Sequence, residues 1–271
     1  DLQGLFRTGL LARVSGAATR IGFAAGREGS PWFYTDRVEL PLPMDRSWRL
    51  LDMHAVDRNL AVAQYLGADV SHPEFWIPQF ESDQAEVTTM LSNADVQPGD
   101  TLIALAPLSR EDVKCWPLDR FVALAYEISR WTACKIVLLG SYSQEWMVEE
   151  FSQISAPRLI NMVGKIRLRQ LGTLLRQVDL LISNDSAPIH IAAAVGSPVL
   201  GIFGPTNAVA TGPYGTNVHR VMSTKIACRP CGKRSCHQVS QKECLTAIAV
   251  DDVVASARTM LNDSRLSRLP V

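Results

Sequence analysis

Short apolar runs bounded by polar turns recur through the second half of the chain, and stretches of helical periodicity separate them. Thr101 to Ala106 (TLIALA), Lys135 to Leu139 (KIVLL), Asp179 to Ser183 and a run ending at Phe203 read as strands, and Leu159 to Gly164 (LINMVG) is a further segment of the same alternation. Between them Leu118 to Trp131, Gln144 to Ile154, Leu168 to Gln177 and a small-residue stretch closing at Val195 read as helices, with Pro117 just inside the start of the first. Strands apolar on both faces and joined through helices are what a buried parallel sheet requires, because the crossover helices cover it. The pattern predicts one doubly wound α/β domain.

The first half is less regular. Leu5, Leu10, Leu11 and Val14 recur at helical spacing; Arg20 to Phe23 and Val38 to Leu40 read as strand pieces around an Ala25 to Glu28 loop. His54 to Ala68 reads as a helix ended near Gly67. From Gln79 to Gly99 the chain turns polar, carries one short helix and closes on the turn Gln97-Pro98-Gly99-Asp100. That stretch reads as a linker between two domains, residues 1–95 and 96–271, and Val250 to Leu261 reads as a closing helix.

Composition narrows the function. At 271 residues, 47% hydrophobic and 20% charged, the chain is of ordinary globular type. Lys+Arg and Asp+Glu stand at 27 each, so no global field favours nucleic acid and any anion site must be local. No apolar run approaches the roughly 20 residues of a membrane span. The opening DLQGLFRTGLLARVSG lacks the basic-then-apolar order of a secretion signal, which makes a cytoplasmic protein the expectation.

In open parallel sheets ligands bind beyond the carboxyl ends of the strands, where helix N-termini offer unpaired N–H groups to anions. Three segments fall on that edge. Asn184 to His190 with Gly204 to Asn207 form the first, in which Asp185, Ser186 and His190 are either ligand contacts or a helix cap and a packed histidine. Ala106 to Pro117 is the second. It holds the hydroxyl of Ser109, the cations Arg110 and Lys114 and a helix start, a set suited to a diphosphate, or else a solvated charged loop. Gly140 to Glu145 is the third, where on the residues alone Glu145 is an exposed helix-start glutamate favoured by the dipole. Neither G-x-G-x-x-G nor G-x-x-x-x-G-K-[ST] occurs, which removes the main support for dinucleotide oxidoreductases and P-loop proteins.

The string N-D-S-A-P-x-H-I-A-A-A-x-G-x-P-V followed by F-G-P-T resembles the C-terminal signature of the heptosyltransferases, the glycosyltransferase family 9 enzymes of lipopolysaccharide assembly. S-R-x-x-x-K-x-W-P resembles the family segment whose hydroxyl and lysine bind nucleotide-sugar phosphates, which falls on Ser109 and Lys114. D-x-Q-G-L with its following helix and the segment from His54 are similar to parts of the N-terminal domain. The resemblance implies a GT-B fold of two Rossmann-like domains, the acceptor-side one incomplete here. It also implies inverting transfer of heptose from ADP-heptose to an inner-core sugar on lipid A, by a cytoplasmic enzyme in peripheral contact with the inner membrane. The family's ribose-binding glutamate corresponds to Glu145, with Gln144 one position away. Its catalytic aspartate matches no position and is expected upstream of Asp1, so that the chain binds nucleotide without turnover. No D-x-D pair is present to hold a metal, so Lys114, Arg110 and helix N-termini are expected to neutralise the leaving group without a metal cofactor. Arg27 is the candidate acceptor contact, against a solvated surface arginine. A non-catalytic nucleotide-sugar binding module and another GT-B enzyme, such as a sugar-nucleotide epimerase, are the competing functions.

Cys115 and Cys134 read as ordinary helix and strand residues. Cys228, Cys231, Cys236 and Cys244 instead crowd into CRPCGKRSCHQVSQKEC, which reads as a structural zinc site with His237 as an alternative fourth ligand, or as free or oxidised thiols.

Overall fold

The computed structural model describes residues 1–41, 53–155, 158–215, 218–238 and 241–266. Two compact units make up the chain: Asp1–Glu74 with Val209–Thr211, and Phe75–Ala208 with Gly212–Val271.

The smaller unit contains helix α1 (Phe6–Val14), strands β1 (Ile21–Phe23) and β2 (Asp36–Val38), paired in parallel, and helix α2 (Ala55–Tyr65). Phe23, Val38 and Val62 form its small core. Asp1 ties the entry to α1: its carboxylate accepts from Gln3 N–H at 2.9 Å, Thr8 Oγ1 at 2.7 Å and the Tyr34 hydroxyl at 2.7 Å. In α1 the buried residue is Gly9, where a Cβ would lie 2.8 Å from the Phe33 ring, while Leu10, Leu11 and Val14 are exposed.

The larger unit runs α3 (Glu81–Asn93), β3 (Thr101–Ala106), α4 (Leu118–Ser129), β4 (Cys134–Leu138), β5 (Leu159–Asn161), α5 (Leu168–Leu175), β6 (Leu180–Asn184), α6 (Ala187–Val195) and β7 (Val199–Ile202). Then come β8 (His219–Met222), α8 (Glu243–Thr246) and α9 (Val250–Leu266), while α7 (Ala208–Thr211), between β7 and β8 in the chain, is counted with the smaller unit from Val209 on. Its six strands form one parallel sheet in the order β5-β4-β3-β6-β7-β8. Counted within the unit that is 3-2-1-4-5-6, the doubly wound order, with its switch point between β3 and β6.

Alternation along β3 divides the core. Ile103 and Leu105 join the cluster that includes α4 and α9, whereas Leu102, Ala104 and Ala106 join the one that includes α3, α5 and α6. Helix α3 lies in the stretch read as a linker. Its polar sequence hides Val87 and Leu91, buried in that second cluster, and so it belongs to the larger unit. Lys135 is buried on β4 because its ammonium donates to the Ala94 carbonyl at the end of α3, at 3.1 Å, and pairs with Asp100 at 3.7 Å. The helix expected from Gln144 is a 3-10 helix over Tyr142–Phe151, opened by a Ser141/Gln144 capping box. Nothing in the structure explains why it is not an α-helix.

Candidate functional site

At the switch point the carboxyl ends of β3, β4 and β6 open onto a cavity of about 790 Å³. Leu108 to Glu111 and Lys114 line it after β3, Leu139 to Ser141 with Ser143 and Gln144 after β4, and Asp185 to Pro188 after β6. Met162, Ile166, Leu168 and Leu171 add an apolar part to the lining. The lining thus combines apolar residues suited to a ring with cations suited to an anion.

Local sequence explains the position of each part. Asn184, wholly buried at the end of β6, accepts from the Trp116 N–H at 2.9 Å and donates its amide to the Pro107 carbonyl. One side chain therefore joins both ends of the loop after β3 to the start of the loop after β6. Trp116 is itself buried, and its indole N–H donates at 3.2 Å to the Ile248 carbonyl, which Arg120 also reaches at 2.6 Å. Within the loop Cys115 takes the Ser109 N–H at 3.2 Å and its thiol donates to the Glu111 carbonyl at 3.7 Å. Burial pushes this thiol up, keeping it protonated and able to donate. Cys115 is thus a brace of the loop and not the helix residue that its neighbourhood suggested.

Lys114 and Asp185 are the centre of the cavity. The ammonium lies 3.0 Å from Asp185 Oδ2, a buried oxygen with no aligned hydrogen bond, and 3.9 Å from Glu111. The contact is one of charge, and Lys114 keeps donors free for a further acceptor. Ser109 Oγ makes a long 3.4 Å contact to the Asp185 carbonyl. Ser186 occupies the N-cap position of α6 without a side-chain cap, since its hydroxyl turns to Asn184 O at 3.2 Å and Ser183 Oγ at 3.1 Å. Pro188 lies in the first turn of α6. The start of α6 therefore faces the cavity with N–H groups that Ser186 does not cap.

The structure brings Ser109, Arg110, Lys114, Asp185 and Ser186 together around this cavity. His190 is exposed on α6 and does not line it. Glu145 is exposed as well, while its neighbour Gln144 lines the cavity and accepts from Ser141 N–H at 2.8 Å. Arg27 is exposed in the smaller unit, where its charge adds to burial in lowering the pKa of half-buried Arg58. Asn184 and the apolar residues of the lining were not singled out in the sequence, for they belong to no motif and reach the site only through the fold.

Cys228, Cys231, Cys236 and Cys244 line one small cavity of about 50 Å³ together with His237 and Val113. All four are free thiols, and among the described residues no three His, Cys, Asp or Glu side chains are placed to hold a metal ion. Burial, then the neighbouring thiols, raises Cys244, whereas N–H donors from Lys242 and Gln238 lower Cys236.

A family model described as glycosyltransferase family 9 (heptosyltransferase) matches residues 1–241. Lipopolysaccharide core heptosyltransferase OpsX of Haemophilus influenzae is 26% identical over 96% of this chain and 74% of its own length. Lipopolysaccharide heptosyltransferase 3 of Escherichia coli K12 is 27% identical over 77% of this chain and 60% of its own. Among solved structures, a family 9 glycosyl transferase from Veillonella parvula matches with a TM-score of 0.72 at 26% identity, covering 95% of this chain and 71% of that one. E. coli ADP-heptose LPS heptosyltransferase II gives 0.66 at 18% identity over 97% and 75%, a likeness of fold.

Proposed function

With the premise that this chain belongs to glycosyltransferase family 9 and has its GT-B type of fold, we propose that it transfers heptose from an ADP-heptose donor to the inner core of lipopolysaccharide, with inversion and without a metal cofactor. The observation that carries the proposal is the Lys114–Asp185 pair, 3.0 Å apart, beside a helix start whose N–H groups the N-cap side chain leaves uncapped.

In this reading the diphosphate lies between Lys114, the Ser109 hydroxyl and the first N–H groups of α6. Arg110, exposed at the rim, adds a second cation. Charge grows on the diphosphate as the anomeric bond breaks, and fixed donors aimed at that charge stabilise the transition state more than the ground state. Asp185 holds the ammonium in place. The adenine ring suits the apolar residues Met162, Ile166 and Leu171, and the ribose hydroxyls suit the Gln144–Glu145 edge. An anionic acceptor suits the guanidinium groups of Arg27 and Arg58. Work at the cytoplasmic face of the inner membrane fits the acceptor; among the described residues no helix is long and apolar enough to cross a membrane.

Calorimetric titration with ADP, ADP-heptose and a UDP-sugar tests the donor, and product analysis with an inner-core acceptor separates transfer from binding alone or epimerisation. Lys114→Ala is expected to weaken ADP about tenfold or more, since a charge-assisted hydrogen bond contributes roughly 1.5–3 kcal/mol. Equal affinity in the variant would remove Lys114 from the site.

A further inference from the structure

Lys242 reaches out of the cysteine-rich segment to the loop that carries Lys114. Its ammonium lies 3.0 Å from each carboxylate oxygen of Asp112 and 3.3 Å from the Asp112 carbonyl. Asp112 opens the 3-10 turn Asp112–Lys114. Val113, the buried middle residue of that turn, lines the small cavity shared by the four cysteines.

The segment is well anchored on its other side. Arg229 Nε donates to the Gly204 carbonyl at 2.6 Å, and Gly232 N–H to the Pro205 carbonyl at 2.8 Å. Lys242 N–H donates to Cys236 Sγ at 3.3 Å. The backbone of Lys242 is left-handed, at φ 56° and ψ 33°, a conformation that an L side chain adopts at a cost. Yet its partner Asp112 is 89% exposed on the side chain, and a pair so open to water adds little to stability. Backbone strain that supports a contact of little stabilising value points to a role other than stability.

The loop's charges supply that role. Lys114 already has Asp185 at 3.0 Å and Glu111 at 3.9 Å, two acids on one cation. Asp112 is a third acid in the same loop, and Lys242 engages both of its oxygens. Arg234, 3.6 Å from Glu111, draws in the same sense. We propose that Lys242 is a positioning residue of the donor site: it fixes the turn Asp112–Lys114 from behind and neutralises Asp112, so that Lys114 is presented to the diphosphate. The cysteine-rich segment is then the support of the donor loop. This inference rests on the cavity being the ADP-sugar site.

ADP titration of the full chain tests it through paired variants. Lys242→Met is expected to weaken ADP about threefold to tenfold, the scale of a displaced charge contact, with an unchanged melting temperature. Asp112→Asn, which removes the charge together with the tether, should lose less than Lys242→Met, the double variant no more than Lys242→Met alone, and Lys242→Arg should retain most of the affinity. In a Lys114→Ala background Lys242→Met should have no further effect, because it acts through Lys114. Unchanged affinity in Lys242→Met, additivity with Lys114→Ala, or a fall in melting temperature shared by Lys242→Met and Asp112→Asn would overturn the proposal. ADP binding that depends on Lys114 but not on Lys242 overturns this inference alone; absence of ADP binding by the wild-type chain overturns the donor reading and this inference with it.

Discussion

Asn184 and Asp185 are adjacent polar residues, and their sequence neighbourhood assigns both to one turn. The fold separates them. Asp185 keeps an oxygen toward Lys114, whereas Asn184 is wholly buried and has its amide committed on both sides, to Trp116 N–H and the Pro107 carbonyl. Ser109 and Lys114 were legible because they stand close together in one loop, although their partner Asp185 lies on another. Asn184 was legible only as a turn residue because its partners lie on another strand's loop. Its role predicts a specific cost. Asn184→Ala orphans a buried N–H and a buried carbonyl, each worth about 1–3 kcal/mol, so stability should fall by roughly 2–4 kcal/mol by urea denaturation. Asn184→Asp should be no better, since its second oxygen would face the Pro107 carbonyl and bring an unpaired charge into the core. A loss below about 1 kcal/mol in both variants would mean that the loops hold together without this side chain.

At the scale of elements, apolar runs placed four strands of the larger sheet within a residue or two, marked β5 only as a segment, and missed the sixth. β8 (HRVM) is half-exposed along its length at the sheet edge, pairs among the described residues only with β7, and so carries no apolar run to read. The G-P-T turn after β7 shows a second limit. Gly204 is needed there because a Cβ would lie 2.6 Å from Leu245 Cγ, and Leu245 of α8 is fully buried against it. The sequence contains the glycine but not its partner, which comes from beyond the cysteine-rich segment. Gly204→Ala is expected to destabilise by about 1–3 kcal/mol through overpacking. In a Leu245→Ala background, where the space is already open, the same change should cost much less, and a double-mutant cycle by denaturation measures the difference. Equal costs in both backgrounds would place the constraint on the backbone, not on Leu245.

For the molecule as a whole, the sequence made the parallel sheet and its ligand edge legible, because strand polarity follows from crossover helices. It left the strand order open, and with it the fact that the loops after β3 and β6 are neighbours. The doubly wound order brings those loops to the switch point, so every residue lining the large cavity belongs to the larger unit. That confinement has a thermodynamic consequence. A ligand that binds only the folded state stabilises it by RT ln(1 + [L]/Kd), about 2.7 kcal/mol at a hundredfold excess over Kd. ADP should therefore slow hydrogen exchange through opening of the larger unit, above all at Ser109 to Lys114 and Asp185 to Pro188, and raise the melting temperature of the transition in which that unit unfolds. With Lys+Arg and Asp+Glu balanced at 27 each, no net field adds to the attraction, so added salt should weaken the effect only through the local contacts at Lys114 and Arg110. Exchange slowed in Asp1–Glu74 alone, with Ser109 to Lys114 unchanged, would place the nucleotide outside the switch-point cavity and withdraw the donor site assigned to it.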